Sequence, residues 1–385
     1  MAGSKPRLTG DIGGACGDLG TLLPHVIGVI AVAGMAPLGI LFGFGSFLVA
    51  SGLFYGMPMA VQPMKAISAV LIAGDLDAAG MAASGLIIGL VMLGLGATGA
   101  ITPLARLIPQ SVTTGLQLGL GLIMALLGLE LMAEHPLFGA AILILLLALM
   151  RVRGLPAAPI VLVAAIGSGL ALGYVAPPGD LAFGWALPTL VLPGWADMLY
   201  AVERAVIPQL PLTLTNAVIV TAILSRELYG AAAGRVSMRN LSLTTGLGNL
   251  LLAPLGGMPM CHGAGGVQAQ YRFGARTGWA PVLLGGILLA LALGFSQGAM
   301  ALLGLIPMAA VGALLVVAGI DLALSRRLFD ARAHCWPAIA LTAGLTVLVN
   351  PAVALAAGWA VEAIAGGLRR YRAGRPSHRH TGRIR

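Results

Sequence analysis

The chain has 385 residues, of which 58% are hydrophobic and only 9% charged, with a formal charge of +9 at pH 7. This balance excludes a soluble domain and a disordered segment, and leaves an all-α polytopic protein of the lipid bilayer. Cys16, Cys261 and Cys335 have neither disulfide nor metal-ligand spacing, so no metal and no cofactor is expected. Much of the charge gathers in residues 369–385, a basic tail that reads as a topology and anionic-lipid signal and not as a nucleic-acid patch.

Taken in order, hydrophobic runs punctuated by Gly, Pro and charge predict seven spans within residues 1–176, near 17–34, 38–55, 58–73, 80–101, 110–131, 137–150 and 156–176. The first is expected to act as the targeting signal and to remain in place. A connection over 177–201 follows, long enough for a short interfacial helix around Trp195 to Tyr200. Seven more spans are predicted within 202–368, near 205–225, 238–254, 258–271, 278–296, 300–320, 334–349 and 351–367.

The two halves echo each other. Gly-Met-Pro-Met opens both Gly56 to Ala73 and Gly257 to Gln270, Leu19 to Ile27 resembles Pro211 to Ile219, and Leu107-Ile108-Pro109 matches Leu305-Ile306-Pro307. An odd number of spans per repeat puts the halves in opposite orientations, so the expected architecture is an inverted repeat of seven plus seven. With both termini cytoplasmic, Arg106, Arg151, Arg153, Arg226, Arg235, Arg239, Arg272, Arg276, Arg326, Arg327 and Arg332 fall inside, while Asp75, Asp77, Glu130, Glu134, Asp180 and Asp197 fall outside. Arg204 alone falls near the outer side of this pattern, which otherwise follows the positive-inside rule.

Lys65 is one of two lysines and lies within an apolar stretch. Pro58 and Pro63 break helix there, so an extended piece followed by a helix starting at Pro63 is predicted, with Lys65 in its first turn. A lysine at the positive end of a helix dipole is a conflict that a bound anion resolves. The alternative is a snorkelling side chain. The matching stretch breaks through Gly263, Gly265 and Gly266, and the repeat sets His262, Gly263, Gly265 and Gly266 opposite Val61, Gln62, Met64 and Lys65. Two such half-helices entering from opposite faces would aim their amide groups at one mid-membrane cavity, whose predicted ligand is a small oxyanion.

Gln62 and Ser68 flank Lys65, the glycines offer backbone N–H groups, and His262 is a donor or a structural imidazole. Thr21, Thr213 and Asn216 belong to the repeated flanking phrases, and a spacing of three puts Thr213 and Asn216 on one helix face. Asp18, His25 and Glu227 are proton-coupling candidates, with Asp18 alternatively capping a helix start. No catalytic constellation is visible, so an enzyme is not expected.

The phrases GDLGTLLPHVI (Gly17 to Ile27), PMAVQPMKAISAV (Pro58 to Val70), QLPLTLTNAVIVT (Gln209 to Thr221) and GGMPMCHGAGGVQAQYRFGARTG (Gly256 to Gly278) resemble the molybdate transporter family related to the SulP sulfate permeases. The resemblance implies the fold shared with sulfate and uracil permeases, in which a core domain moves against a gate domain. It implies molybdate uptake across the plasma (inner) membrane, a possible homodimer through gate helices, and no regulatory domain after the last span. The expected mechanism is alternating access with coupled cations, plausibly protons. Sulfate or tungstate transport on the same fold, and an anion channel, stand as alternatives.

Overall fold

The computed structural model describes residues 8–16, 18–101, 103, 109–152, 157–177, 184–294, 301 and 304–373, so the last part of the expected basic tail lies outside the described residues. Five helices are long and apolar enough to cross a bilayer: Pro37–Tyr55, Ala78–Thr98, Gln110–Met132, Trp195–Ala233 and Met308–Phe329. Shorter apolar helices occupy Thr21–Ala31, Pro136–Met150, Ala157–Ala171, Trp279–Gly294, Ala333–Leu348 and Pro351–Gly367.

Glycine sets the closest helix crossings. A methyl group built on Gly121 would lie 2.4 Å from the carbonyl oxygen of Gly319, and one on Gly319 would lie 2.6 Å from that of Gly121. Gly128 and Gly312 meet in the same way further along the same two helices. Gly45 meets Gly285, and Gly89 meets Gly246, each on the other's backbone. Between apolar helices in lipid, such small-residue contacts let backbones approach and supply the packing that water cannot drive.

Two places depart from the expected element boundaries. The interfacial helix around Trp195 and the span at 205–225 are parts of one helix, Trp195–Ala233. It continues past Pro208 and Pro211, with wider π-helical turns before and after them at Val202–Val206 and Thr213–Val220. Before the first expected span there is also a helix, Leu8–Ala15, whose Asp11 side chain is buried. Asp11 accepts hydrogen bonds from the backbone N–H groups of Arg276 and Thr277 and from the Thr277 hydroxyl.

The two broken stretches meet. Val61–Pro63 (β1) and Met260–His262 (β2) pair antiparallel, with Gln62 opposite Cys261. Each leads into a short helix, Lys65–Ile72 of 8 residues and Ala264–Arg272 of 9 residues. At about 1.5 Å per residue each covers less than half of a bilayer core of about 30 Å. Asn249 closes one edge of this small sheet, its side-chain amide both donating to the carbonyl and accepting from the N–H of Met260. Strand pairing and Asn249 thus satisfy polar backbone of these strands within the protein.

Candidate functional site

The first half-helix starts at Lys65, two residues later than expected, because Pro63 ends β1 and Met64 serves as its N-cap. The second starts at Ala264 behind the N-cap Gly263. Lys65 lies six residues after Met59, whereas Ala264 lies only four after Met260. The local correspondence therefore slips by two positions against the Gly-Met-Pro-Met echo. Ala264 stands where Lys65 does, Gly263 matches Met64, and Cys261 matches Gln62. The expected equivalence of Lys65 with Gly266 is corrected accordingly.

Neither N-cap side chain bonds to its helix. In the first helix the Ala66 N–H is taken by Oε1 of Gln209, and the remaining leading N–H groups are left to other partners. Both helix starts face one cavity of about 220 Å³, lined by Thr21, Gln62, Lys65, Asn216, His262, Gly263 and Gly265, together with Gln117, Gln209 and apolar neighbours. Lys65 has no carboxylate within ion-pair distance among the described residues.

Ser68, Thr213 and Gly266 are not part of this wall. Ser68 is fully buried and hydrogen-bonded at 2.8 Å to Nδ1 of His25. Thr213 lies under the Gln209 amide, which donates to its hydroxyl at 2.9 Å. The π-helical turn at Thr213–Val220 has more residues per turn than an α-helix, so a spacing of three no longer aligns Thr213 with Asn216. Gly266 instead packs against Asp18, whose carboxylate occupies the space of a Cβ there.

Asp18 is 2% exposed and accepts a hydrogen bond from Nε2 of Gln62 at 2.5 Å. Its side chain makes no cap bond to the helix Leu19–Ala31, so the capping alternative does not hold. Glu227 lies exposed near the far end of its helix, outside the cavity wall.

His262 lines the cavity, yet both ring nitrogens are committed elsewhere. Nδ1 donates to the Ala60 carbonyl at 3.1 Å, and Nε2 lies 2.8 Å from the Thr244 hydroxyl, which also meets the Tyr55 hydroxyl. Phe47 and Tyr55 pack against its ring. The imidazole thus fixes the β2 strand to its neighbours, and the expectation that it donates to a ligand is not met by this arrangement.

Three polar residues were missed in the sequence. Gln209 Oε1 accepts from the Ala66 N–H at 2.9 Å, so it both lines the cavity and caps the first half-helix. Gln117 is 5% exposed with its Oε1 unpartnered, on a helix whose first turns also carry Ser111, Thr113 and Thr114. Asp321 sits beside the cavity-lining Leu322, within electrostatic reach of Lys65. Proximity to Lys65 is the common signal, and it exists only after folding. Among the described residues no group of three or more metal-ligating side chains is present.

Solved structures share this fold. The transmembrane domain of the cyanobacterial bicarbonate transporter BicA superimposes with a TM-score of 0.70 at 17% identity, covering 91% of this chain and 98% of that one. Murine Slc26a9, an anion transporter in the inward-facing state, gives 0.68 at 13% identity, covering 96% and 70%. A mostly helical chain of this fold, with five helices long and apolar enough to cross a bilayer, is an integral membrane protein.

Its family follows from sequence. The profile described as "Molybdate transporter of MFS superfamily" matches residues 10–124 and 201–322. Molybdate transporter 2 of Arabidopsis thaliana is 32% identical over 377 residues, 84% of this chain and 80% of that protein. Molybdate transporter 1 of Chlamydomonas reinhardtii is 30% identical over 429 residues, 81% and 83%. The chain belongs to the molybdate transporter family.

Proposed function

We propose that the protein imports molybdate by alternating access, binding the dianion in the cavity between the two half-helices. The observation that carries this reading is the convergence of two helix N-termini and the unpaired ammonium of Lys65 on one cavity. Helix dipoles and free N–H groups favour an anion, and Lys65 adds a full charge in a region of low dielectric. Gln62, Thr21, Asn216 and the amides after Gly263 complete the donor set. Gln117 joins them by presenting its amide NH₂, since an oxyanion needs donors.

The reciprocal glycine crossings and the antiparallel strand pair support an inverted repeat, read as seven plus seven spans, and the arginine-rich loops favour cytoplasmic termini. A membrane potential negative inside opposes entry of a dianion by about 2.3 kcal/mol per charge per 100 mV, so concentrative uptake needs coupled cations. Asp18 is the carboxylate best placed to couple a proton, being buried and joined to the site through Gln62. The coupling carboxylate and the dimer through gate helices belong to the same proposal.

Uptake of radiolabelled molybdate into proteoliposomes tests it. Lys65→Ala abolishes concentrative uptake, and Lys65→Arg retains part of it if the charge and not the compact ammonium is what counts. Uptake by Lys65→Ala equal to the parent removes the electrostatic assignment. Competition by tungstate and sulfate at low molybdate separates the preferred anion from its analogues.

A further inference from the structure

A second cavity, of about 400 Å³, lies at one end of the bundle and is lined by Gln110, Ser111, Arg327, Asp330, Arg332 and His334 among others. It shares three elements with the central site. The helix Gln110–Met132 runs from this cavity to Gln117, about 10 Å away at 1.5 Å per residue. The segment after Leu322 carries Arg327 into it. The Arg327 guanidinium reaches Thr215 at 3.5 Å, one residue before the cavity-lining Asn216.

Its chemistry suits an anion. Arg327 is half-buried, and neither it nor Arg332 forms an ion pair among the described residues. The helix Gln110–Met132 begins beside it behind Pro109, and that N-cap makes no side-chain cap bond. A forked guanidinium beside open helix N–H groups matches the edge of a tetrahedral oxyanion. Asp330 on the same wall lowers the net charge. A site of reduced charge holds a dianion weakly, which suits passage better than storage.

We propose that this cavity is a second oxyanion site, where Arg327 and Arg332 hold the transported dianion between the central cavity and the cytoplasm. The proposal rests on the transport reading for its ligand and its sidedness. A phosphate group on a lipid headgroup presents the same chemistry, so the test separates the two sources.

The test is equilibrium binding of radiolabelled molybdate to purified protein in neutral detergent. The parent is expected to show a tighter and a weaker component. Arg327→Gln combined with Arg332→Gln removes the weaker one and halves the molybdate bound at saturation, while Lys65→Ala removes the tighter one. Arg332→Gln alone, at an exposed position, weakens the second component without endangering the fold, and a retained Lys65-dependent component certifies each arginine variant as folded.

Binding by the double variant identical to the parent overturns the second site and leaves the central one standing. Loss of all binding in the double variant, with Arg332→Gln alone like the parent, overturns it too. Unchanged binding in Lys65→Ala with loss in the double variant overturns the central reading and supports this one. In nanodiscs, displacement of the Arg-dependent component by phosphatidylglycerol over phosphatidylcholine assigns the pocket to headgroup phosphate, and no displacement assigns it to the free ion.

Discussion

Nε2 of Gln62 donates to the carboxylate of Asp18 at 2.5 Å, and the same side chain fills the space that a Cβ on Gly263 would need, 1.9 Å from Oε1. One amide thus joins the start of the first long apolar segment, the strand before the first half-helix and the N-cap of the second. Gln62→Glu replaces the donor with an acceptor and sets two carboxyl groups face to face. We expect a loss of about 3–5 kcal/mol in detergent thermal unfolding, as for a buried pair broken on one side. Asp18→Asn in the same chain restores a donor, so the double variant should recover most of that loss in a double-mutant cycle.

Gly263 and Gly265 separate a structural role from a binding role. A methyl group at Gly263 collides with Gln62, whereas one at Gly265 meets nothing within 4 Å and projects toward open space beside the cavity. Gly263→Ala should lower both the unfolding temperature and uptake. Gly265→Ala should leave unfolding unchanged and raise the KM for molybdate. Equal effects of the two on unfolding would contradict this division.

Gln209 bridges the Ala66 N–H and the Thr213 hydroxyl from a helix more than a hundred residues away in sequence. Gln209→Leu leaves the Ala66 donor at the head of the first half-helix without its acceptor. The expected cost is about 1–3 kcal/mol, measured by thermal unfolding, with a weaker affinity for molybdate because the helix start is no longer held. Gln209→Glu keeps an acceptor and should fold better than the leucine variant while binding the anion worse, since it places a negative charge on the cavity wall.

The crossing of Gly121 with Gly319 predicts a sharp contrast with the partly exposed Gly344 in a neighbouring helix. Gly319→Ala forces the backbones apart and should cost about 1–3 kcal/mol, as overpacking does. Gly344→Ala, where a methyl group meets nothing within 4 Å, should be neutral or stabilising by up to about 1 kcal/mol through helix propensity. Size-exclusion profiles and unfolding temperatures of the two variants check the pair.

Local chemistry wrote much of this protein into its sequence. Long uncharged runs determined that it is a helical protein of the bilayer, because lipid leaves backbone amides no other partners. Pro58, Pro63 and the glycines after Cys261 marked where helix fails, and the misplaced charge of Lys65 marked the cavity it lines, since each conflict is visible within a few residues. What only the tertiary structure decided depends on groups far apart in the chain. The two-residue slip between the half-helices follows from strand pairing, which a shared phrase cannot register. The engagement of His262 by Ala60 and Thr244, the burial of Ser68 against His25, and the arrival of Gln117 and Gln209 on the wall that Lys65 lines all arise where separate helices cross. Their side chains carry no local mark of it, because a glutamine on an apolar helix looks the same in sequence whether it faces lipid, a neighbour or a bound ion.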